Sequence, residues 1–389
     1  MNNIVVTVSI LISNNYDRVK RCLESVQPLL DQVPSELILT DTGCNPELRC
    51  LLEEYTDHII DFTWCQDFSA ARNVGLNEAR GEWFLYIDDD EWFEDVSPLL
   101  QFFSSDECSK TNVAFYIQRN YLDYSGNNYS DHYVDRLIRI QEGLHFEHRV
   151  HEAYTGIEIG TKVLIPCIAN HYGYIYADEE ERMAKHLRNQ KLLELECAEH
   201  PDDMRMRNQL VTNQYEIGDW DGAMKYAFEG IEMNPQSNSE YWDACHTSIL
   251  YCLKRKEAWG ELLKFGKQFL KKKLYPLDSF GTLQYMIEAD YHLHRFDELC
   301  VLADIALDLY NDYKVNPDIF NPNQLMRQDF IDDGSICDMT RRIVVAVAAS
   351  GNEALLGKLI SSPLGNMARG FIGDEVWLAG ELEHVHRSV

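Results

Sequence analysis

The sequence predicts an α/β domain built on a mainly parallel sheet, followed by an all-α domain of repeated helix pairs. Three observations carry this. Through residue 175, short β-branched runs alternate with helical patterns, an order that implies parallel strands with helices on both faces. From about Ala177 the chain reads as helical, with few β-branched runs. Within that half, residues 206–235 have a pattern that returns, more weakly, twice. The expected domains are 1–175 and 176–389.

Residues 5–12, rich in Val and Ile, form a buried first strand. Residues 18–30 are helical, with Val19, Cys22, Leu23 and Val26 on one face. A second strand over 36–40 closes on Asp41-Thr42-Gly43, and 46–56 is helical. A helix over 68–79 is stopped by Gly81, and 83–87 is the third strand. In such sheets ligands bind beyond the carboxyl ends of the strands, where Asp41 and Asp88-Asp89-Asp90 stand. Residues 114–119, 132–140 and 162–168 are further strands, flanking a His-rich and acidic segment at 143–154.

In the helical half, Leu210, Tyr215, Gly218, Trp220, Ala223, Tyr226, Ala227, Ile231 and Pro235 fall where a tetratricopeptide unit places its packing residues. Gly218, Ala223 and Ala227 let two helices approach closely, and Pro235 ends the second. Lys256-Glu257-Ala258-Trp259 stands 36 positions after Trp220-Asp221-Gly222-Ala223, and Phe296-Asp297-Glu298-Leu299 comes 40 later, offsets that bracket the ~34-residue period of this class. Trp220 and Trp242 belong to repeat packing, and Lys271-Lys272-Lys273 to a solvated helix end. Beyond about Asn316 the chain reads as helical without a class.

The 389 residues are 45% hydrophobic and 25% charged, an ordinary globular balance in a chain long enough for two or three domains. The 11 cysteines are odd in number and form no CxxC pair, which points to reduced thiols, a cytoplasmic location and no closed zinc site. A net charge of −29 excludes nucleic acid as a natural partner. It equally repels free nucleotide phosphates, so a bound nucleotide needs a divalent cation or local arginines. No stretch approaches the ~20 apolar residues of a membrane span, and the first residues carry neither a basic leader nor a cleavage site.

The chemistry lies in the acidic run. Glu82-Trp83-Phe84-Leu85-Tyr86-Ile87 leads directly into Asp88-Asp89-Asp90-Glu91. Asp88 and Asp90, two apart at a strand end, point to one side and suit one hard cation, with places left for two phosphate oxygens. A solvated turn is the bland alternative for such a run. Asp67-Phe68-Ser69-Ala70-Ala71-Arg72-Asn73 begins 21 residues before Asp88, and Asp41-Thr42-Gly43 ends the preceding strand.

Together with the segment from Ser13-Asn14 to Arg21-Cys22-Leu23-Glu24-Ser25-Val26, these resemble the family 2 glycosyltransferases of GT-A fold. Val150-His151-Glu152, Arg136-Leu137-Ile138-Arg139 and Asn170-His171-Tyr172-Gly173-Tyr174 are similar to a subgroup in which tetratricopeptide repeats follow the catalytic domain. That resemblance implies an inverting transfer from a UDP-hexose to a peptide or protein side chain, or to a surface or lipid-linked saccharide. Ser13, Asn14, Asp41, Asp67, Arg72, Asp88, Asp89 and Arg139 would hold the donor. Asp90 and His171 would hold Mn²⁺ or Mg²⁺. Glu152 is the expected general base, with Glu147 and Asp135 as rivals. His151, beside His145 and His148, and Trp92 would lie at an acceptor or metal site. Trp83 reads as core, and Trp64 lies near these motifs. The repeats would dimerise the chain or cradle an acceptor.

Two departures from the pattern, Cys44-Asn45-Pro46 after the glycine and Asp89 in the middle of the acidic motif, leave the donor sugar open. A scaffold with a decayed first domain is the non-enzymatic alternative, against which the intact Asp41, Arg72, Asp88 and Asp90 speak. A nucleotidyltransferase would need a Gly-rich basic loop where Ser13-Asn14-Asn15-Tyr16-Asp17 stands.

Overall fold

The computed structural model describes residues 4–233, 240–272, 275–320 and 328–388. Pro235 and Lys273 lie outside them. The chain divides into two compact units, Met1–Leu192 and Leu193–Val389.

The first unit runs β1 (Val6–Ile12), α1 (Tyr16–Gln32), β2 (Ser35–Asp41), α2 (Pro46–Tyr55), β3 (Ile59–Asp61), α3 (Phe68–Glu78), β4 (Trp83–Asp88), β5 (Glu91–Phe93), α4 (Ser97–Phe103), α5 (Asp106–Lys110), β6 (Val113–Tyr121), β7 (Tyr129–Arg139), β8 (His145–Glu147), β9 (Ala153–Thr155) and β10 (Lys162–His171). One eight-stranded sheet has the order β3-β2-β1-β4-β7-β6-β10-β5, and β8-β9 form a separate hairpin. β1, β2, β3 and β4 pair in parallel, as do β6 and β10, while β7 runs antiparallel to both of its neighbours. The sheet is GT-A-like. The short strands β3, β5, β8 and β9 have too few residues for their alternation to stand out in the sequence.

β4 explains why the acidic run is placed so firmly. Its alternate residues feed two cores: Trp83, Leu85 and Ile87 pack with β1 and α1, and Phe84 and Tyr86 pack with Leu76, Ile138 and Phe146. A strand buried on both faces reads as an unbroken apolar run, and the first polar residue after it, Asp88, continues the Tyr86 face. Gly81 plays a different part from the expected helix stop. α3 ends with Ala79 as its cap, and a Cβ on Gly81 would lie 2.5 Å from the backbone N of Thr7. The glycine lets the chain enter β4 hard against β1.

The second unit takes in the end of α6 (Glu179–Glu199), then α7 (Met204–Glu216), α8 (Trp220–Met233), α9 (Glu240–Arg255), α10 (Trp259–Phe269), α11 (Pro276–His292), α12 (Phe296–Val315), α13 (Asp333–Ser350), α14 (Glu353–Ser361), α15 (Gly365–Gly373) and α16 (Glu375–Ser388), with two short 3₁₀ turns between α12 and α13. From α7 to α13 each helix packs on the next, and α7, α9, α11 and α13 pack in sequence, the arrangement of stacked helix pairs. Trp220, Trp259 and Phe296 each open the second helix of a pair, so the echo read from Lys256 begins three residues before its helix does. Ala223 and Ala227 are fully buried where α8 meets its neighbours. Among the described residues no helix is long and apolar enough to cross a membrane.

Candidate active site

The carboxyl ends of β1, β2 and β4 meet. Past β1, Ser13 donates its backbone N–H to Asp89 Oδ2 at 2.5 Å, and Asn14 Oδ1 accepts from Asn45 N at 3.0 Å. Asp89 thus ties two strand ends together from a buried position. Burial and the adjoining Asp90 push its carboxyl up to about 7, against the Ser13 hydrogen bond.

At the end of β2, Asp41 Oδ1 accepts from Gly43 N at 2.9 Å and Cys44 N at 2.8 Å. Its Oδ2 accepts from the Cys44 thiol at 3.0 Å and from Arg49 Nη1 at 2.9 Å. Burial works against the charge, but the Cys44, Gly43 and Arg49 donors outweigh it and bring Asp41 to about 2. The Cys44-Asn45-Pro46 departure has a local cause: Asn45 caps α2 through Leu48 N, and Pro46 is its first residue.

The region around Asp88 is organised by α3. Asp67 caps that helix through Ala70 N at 2.8 Å. Ser69 Oγ donates to the His148 carbonyl at 2.6 Å, Phe68 N to the Arg149 carbonyl at 2.9 Å, and Asn73 exchanges two 2.8 Å hydrogen bonds with the Phe146 backbone. These contacts pin the segment between β8 and β9, where His148 and His151 take left-handed backbone (φ 76° and 57°). Glu152 follows and meets Arg72: Arg72 Nη2 donates to Glu152 Oε1 at 3.0 Å and to Asp88 Oδ1 at 3.1 Å. Arg72 is buried, with its guanidinium 4.6 Å above the Tyr86 ring.

Asp88 has a second arginine. Arg136 Nη2 donates to Asp88 Oδ2 and to Glu91 Oε1, both at 2.7 Å. Burial opposes the charge on Asp88, yet the Arg136 and Arg72 guanidiniums hold it far below the usual carboxylate range. Arg139 stands apart from the cluster. It pairs with Glu82, lies over Trp83 and bonds the Thr111 and Cys108 carbonyls. The cause is strand direction: β7 runs antiparallel to β4, so Arg139 registers with Trp83 at the start of β4. Of the two β7 arginines, Arg136 is the one that reaches the acidic run.

Asp90 faces His171 instead. His171 Nε2 is 3.4 Å from Asp90 Oδ1, and His171 Nδ1 is 2.6 Å from Asn120 Oδ1, so Nδ1–H donates to Asn120 and Nε2 is turned toward Asp90. Burial pulls His171 down, but the Asp90 hydrogen bond and the surrounding acids outweigh it and leave the ring above its ordinary value. Arg18 lies 3.8 Å from Asp90. A Cβ on Gly173 would sit 2.2 Å from His171 Nε2 and 3.0 Å from Asp90 Oδ2. Only glycine keeps that gap clear. Two ligands of this kind with an open space suit an oxygen-preferring divalent cation that takes its remaining ligands from a diphosphate and water. Among the described residues no group of three or more His, Cys, Asp or Glu is placed to hold a metal ion by itself.

Of the remaining candidates, Asp135 accepts from Tyr154 Oη and Lys162 Nζ, and Glu147 is an exposed partner of His145. His151 is exposed. Trp92 lies in an aromatic group, 4.4 Å edge-to-face from Tyr172 and stacked at 6.5 Å with Tyr121, under the Arg21 guanidinium at 4.8 Å. Trp83 is buried against Phe102, and Trp64 packs on Phe68. Sequence reasoning missed Arg49, Arg136, Asn120 and the spacing role of Gly173. Strand parity puts Arg136 and Arg139 on opposite faces, and the β4–β7 register then decides which of them reaches Asp88.

Residues 7–159 match the family model described as Glycosyl transferase family 2. A TPR repeat-containing protein of Synechococcus elongatus is 26% identical over 306 residues, which cover 75% of this chain and 71% of that one. The SPbeta prophage-derived glycosyltransferase SunS of Bacillus subtilis is 30% identical over 156 residues, 38% of this chain and 34% of SunS, so the match spans about a third of that relative's length. Among solved structures, S. aureus TarS 1-349 aligns over 84% of this chain and 91% of its own, with 12% identity and a TM-score of 0.33. With the family match falling on the domain that holds the Asp88–Asp90 cluster, and helical repeats following it, the chain is a glycosyltransferase with a family 2 domain.

Proposed function

We propose that this is an inverting, metal-dependent hexosyltransferase that moves a hexose of glucose or N-acetylglucosamine type from a UDP-sugar to a peptide or protein side chain. The observation that carries the reading is the gap that Gly173 keeps open between His171 Nε2 and Asp90. Asp90 and His171 would hold Mn²⁺ or Mg²⁺. A divalent cation bound there offsets the charge of the leaving diphosphate, which a chain of net charge −29 otherwise repels. Ser13, Asn14 and Asp41, at the ends of β1 and β2, would line the nucleoside, and Asp89 would hold Ser13 in place from beneath. Asp67 would contribute by starting α3 and so aiming Arg72.

Inversion needs one in-line displacement, with a base taking the acceptor's proton. Glu152 is the acid that stands beside the Asp88–Arg72 pair, and Arg72 engages it through Oε1. The stacked helix pairs favour an extended peptide as acceptor. The Trp92, Tyr121 and Tyr172 group favours a second reading, a surface or lipid-linked saccharide laid on aromatic rings.

Calorimetry of UDP with the full chain tests the metal role. Tight binding is expected only with Mn²⁺, and Asp90→Ala is expected to abolish the Mn²⁺-dependent part. Equal UDP affinity in Mn²⁺ and in chelator would refute it. A hydrolysis screen of UDP-, GDP- and dTDP-sugars then identifies the donor.

A further inference from the structure

Five charged side chains form a continuous hydrogen-bonded chain behind the site: Glu91, Arg136, Asp88, Arg72 and Glu152. Glu91 is the buried anchor. Its carboxylate accepts from Tyr116 Oη at 3.1 Å, Gln118 Nε2 at 2.5 Å and Arg136 Nη2 at 2.7 Å. Arg136 Nη2 is shared with Asp88 Oδ2 at 2.7 Å, Asp88 Oδ1 takes Arg72 Nη2 at 3.1 Å, and Arg72 grips Glu152 Oε1 through Nη2 and Nε at 3.0 and 3.3 Å. Both guanidiniums lie over one ring, Tyr86, at 4.6 and 4.9 Å. Tyr86 is in turn fixed by its hydroxyl, which donates to the Asp135 carbonyl at 2.6 Å.

We infer that Arg136, held by Glu91, is a positioning residue for Glu152 and acts on it through Asp88 and Arg72. The inference rests on the reading of Glu152 as the base. Glu152 stands outside regular structure, between β8 and β9, so its carboxylate is aimed by what it touches. The guanidinium of Arg72 is a rigid plane, and its tilt is set by Asp88. Asp88 has one oxygen on each arginine, so without Arg136 its carboxylate is free to turn and Arg72 turns with it. Arg72, Arg136 and Glu91 are largely shielded from water, where charge-assisted hydrogen bonds strengthen, and Asp88, whose side chain is 37% exposed, is fixed between the two guanidiniums. The same geometry leaves both Asp88 oxygens engaged by arginine, so Asp88 serves the base, while Asp90 and His171 stand apart from the chain.

The test uses the full chain, UDP affinity in Mn²⁺, and hydrolysis of whichever UDP-sugar the wild type hydrolyses fastest. Arg136→Lys keeps the charge and removes the fork. It is expected to lower kcat by about 10- to 100-fold, the effect of a misplaced reacting group, while UDP affinity stays unchanged. Asp88→Asn should give the same split. In a Glu152→Gln background, Arg136→Lys should cost nothing further. The inference is overturned if Arg136→Lys leaves kcat intact, if UDP affinity falls in step with kcat, or if the loss persists in full in the Glu152→Gln background. Should Arg136→Lys not fold, Glu91→Gln keeps the shape and must show the same kcat-only loss. Glu152→Gln alone separates the two ideas. Wild-type hydrolysis by that variant removes the base itself, whereas slow hydrolysis beside an unaffected Arg136→Lys removes only the positioning role.

Discussion

Both units bury ionisable groups, but they bury them differently. In the first unit Arg72, Arg136, Asp88, Glu91 and Glu152 are partnered by opposite charge, and the Asp88 carboxyl is driven down by arginines that overcome burial. In the second unit Glu288 is likewise paired, with Lys254 and Arg342, but three further buried groups are shifted mainly by burial itself. His246, stacked 4.2 Å on Phe269 with Nδ1 on the Trp242 carbonyl, is lowered to about 4. Asp243, which accepts from Tyr275 N, and Asp290 are each raised to about 6. A paired network costs desolvation and repays it only through geometry held in common, so it persists where geometry matters for chemistry. A lone buried polar group is pushed toward its neutral form and serves packing. The shift of Asp88, set by specific charge partners, is the kind that marks a site, whereas Asp89 beside it is raised chiefly by burial.

The widest separation between the units is expected from Glu152→Gln. Hydrolysis of the UDP-sugar should fall by about 10²–10⁴-fold, the usual contribution of a general base, with UDP affinity in Mn²⁺ unchanged. A variant with retained turnover would move the base to another acid and strip the paired network of its chemical purpose. Next comes Gly173→Ala. The added methyl would lie 2.2 Å from His171 Nε2, so Mn²⁺-dependent UDP affinity should drop by about 10–100-fold, as when a metal ligand is misoriented. Thermal melting should barely move. Undiminished Mn²⁺-dependent affinity in this variant would show that the gap is not where the cation sits.

Much of this was legible in the sequence because burial writes itself there. The β1, β2 and β4 runs are rich in Val, Ile, Leu and aromatic residues, so their ends, and with them Asp41 and Asp88–Asp90, follow from the sequence pattern. The repeat unit over α7 and α8 is legible through Ala223 and Ala227, both fully buried, whereas Gly218 serves the turn between the helices, at φ 79°, rather than their close approach. What stayed hidden depends on pairing direction and on partners far apart in the chain. Arg139 looked like the basic residue of the site because its strand reads the same in either direction, and only the antiparallel register with β4 sends it to the far end and brings Arg136 to Asp88. Ser69 and Asn73 sit in a recognisable motif, yet their work is to hold the backbone at His148 and Phe146. Gly173 is readable only once His171 and Asp90 are seen to face each other.

The smallest effect separates the units by pH. Asp243 ionises near 3.8 when unfolded and near 6 in the fold. A carboxyl with a raised folded value favours the fold when neutral, so its cost is absent at low pH, sets in above pH 4 and is complete above pH 6. Asp243→Asn retains an acceptor for Tyr275 N and never ionises. It should therefore stabilise the second unit by about 2 kcal/mol at pH 8, shrinking toward zero near pH 4, while the UDP-sugar hydrolysis of the first unit stays the same. Urea midpoints for variant and wild type across that range provide the measurement. A gain that does not depend on pH would mean that Asp243 is paired rather than merely buried, and the contrast between the two units would lose its clearest member.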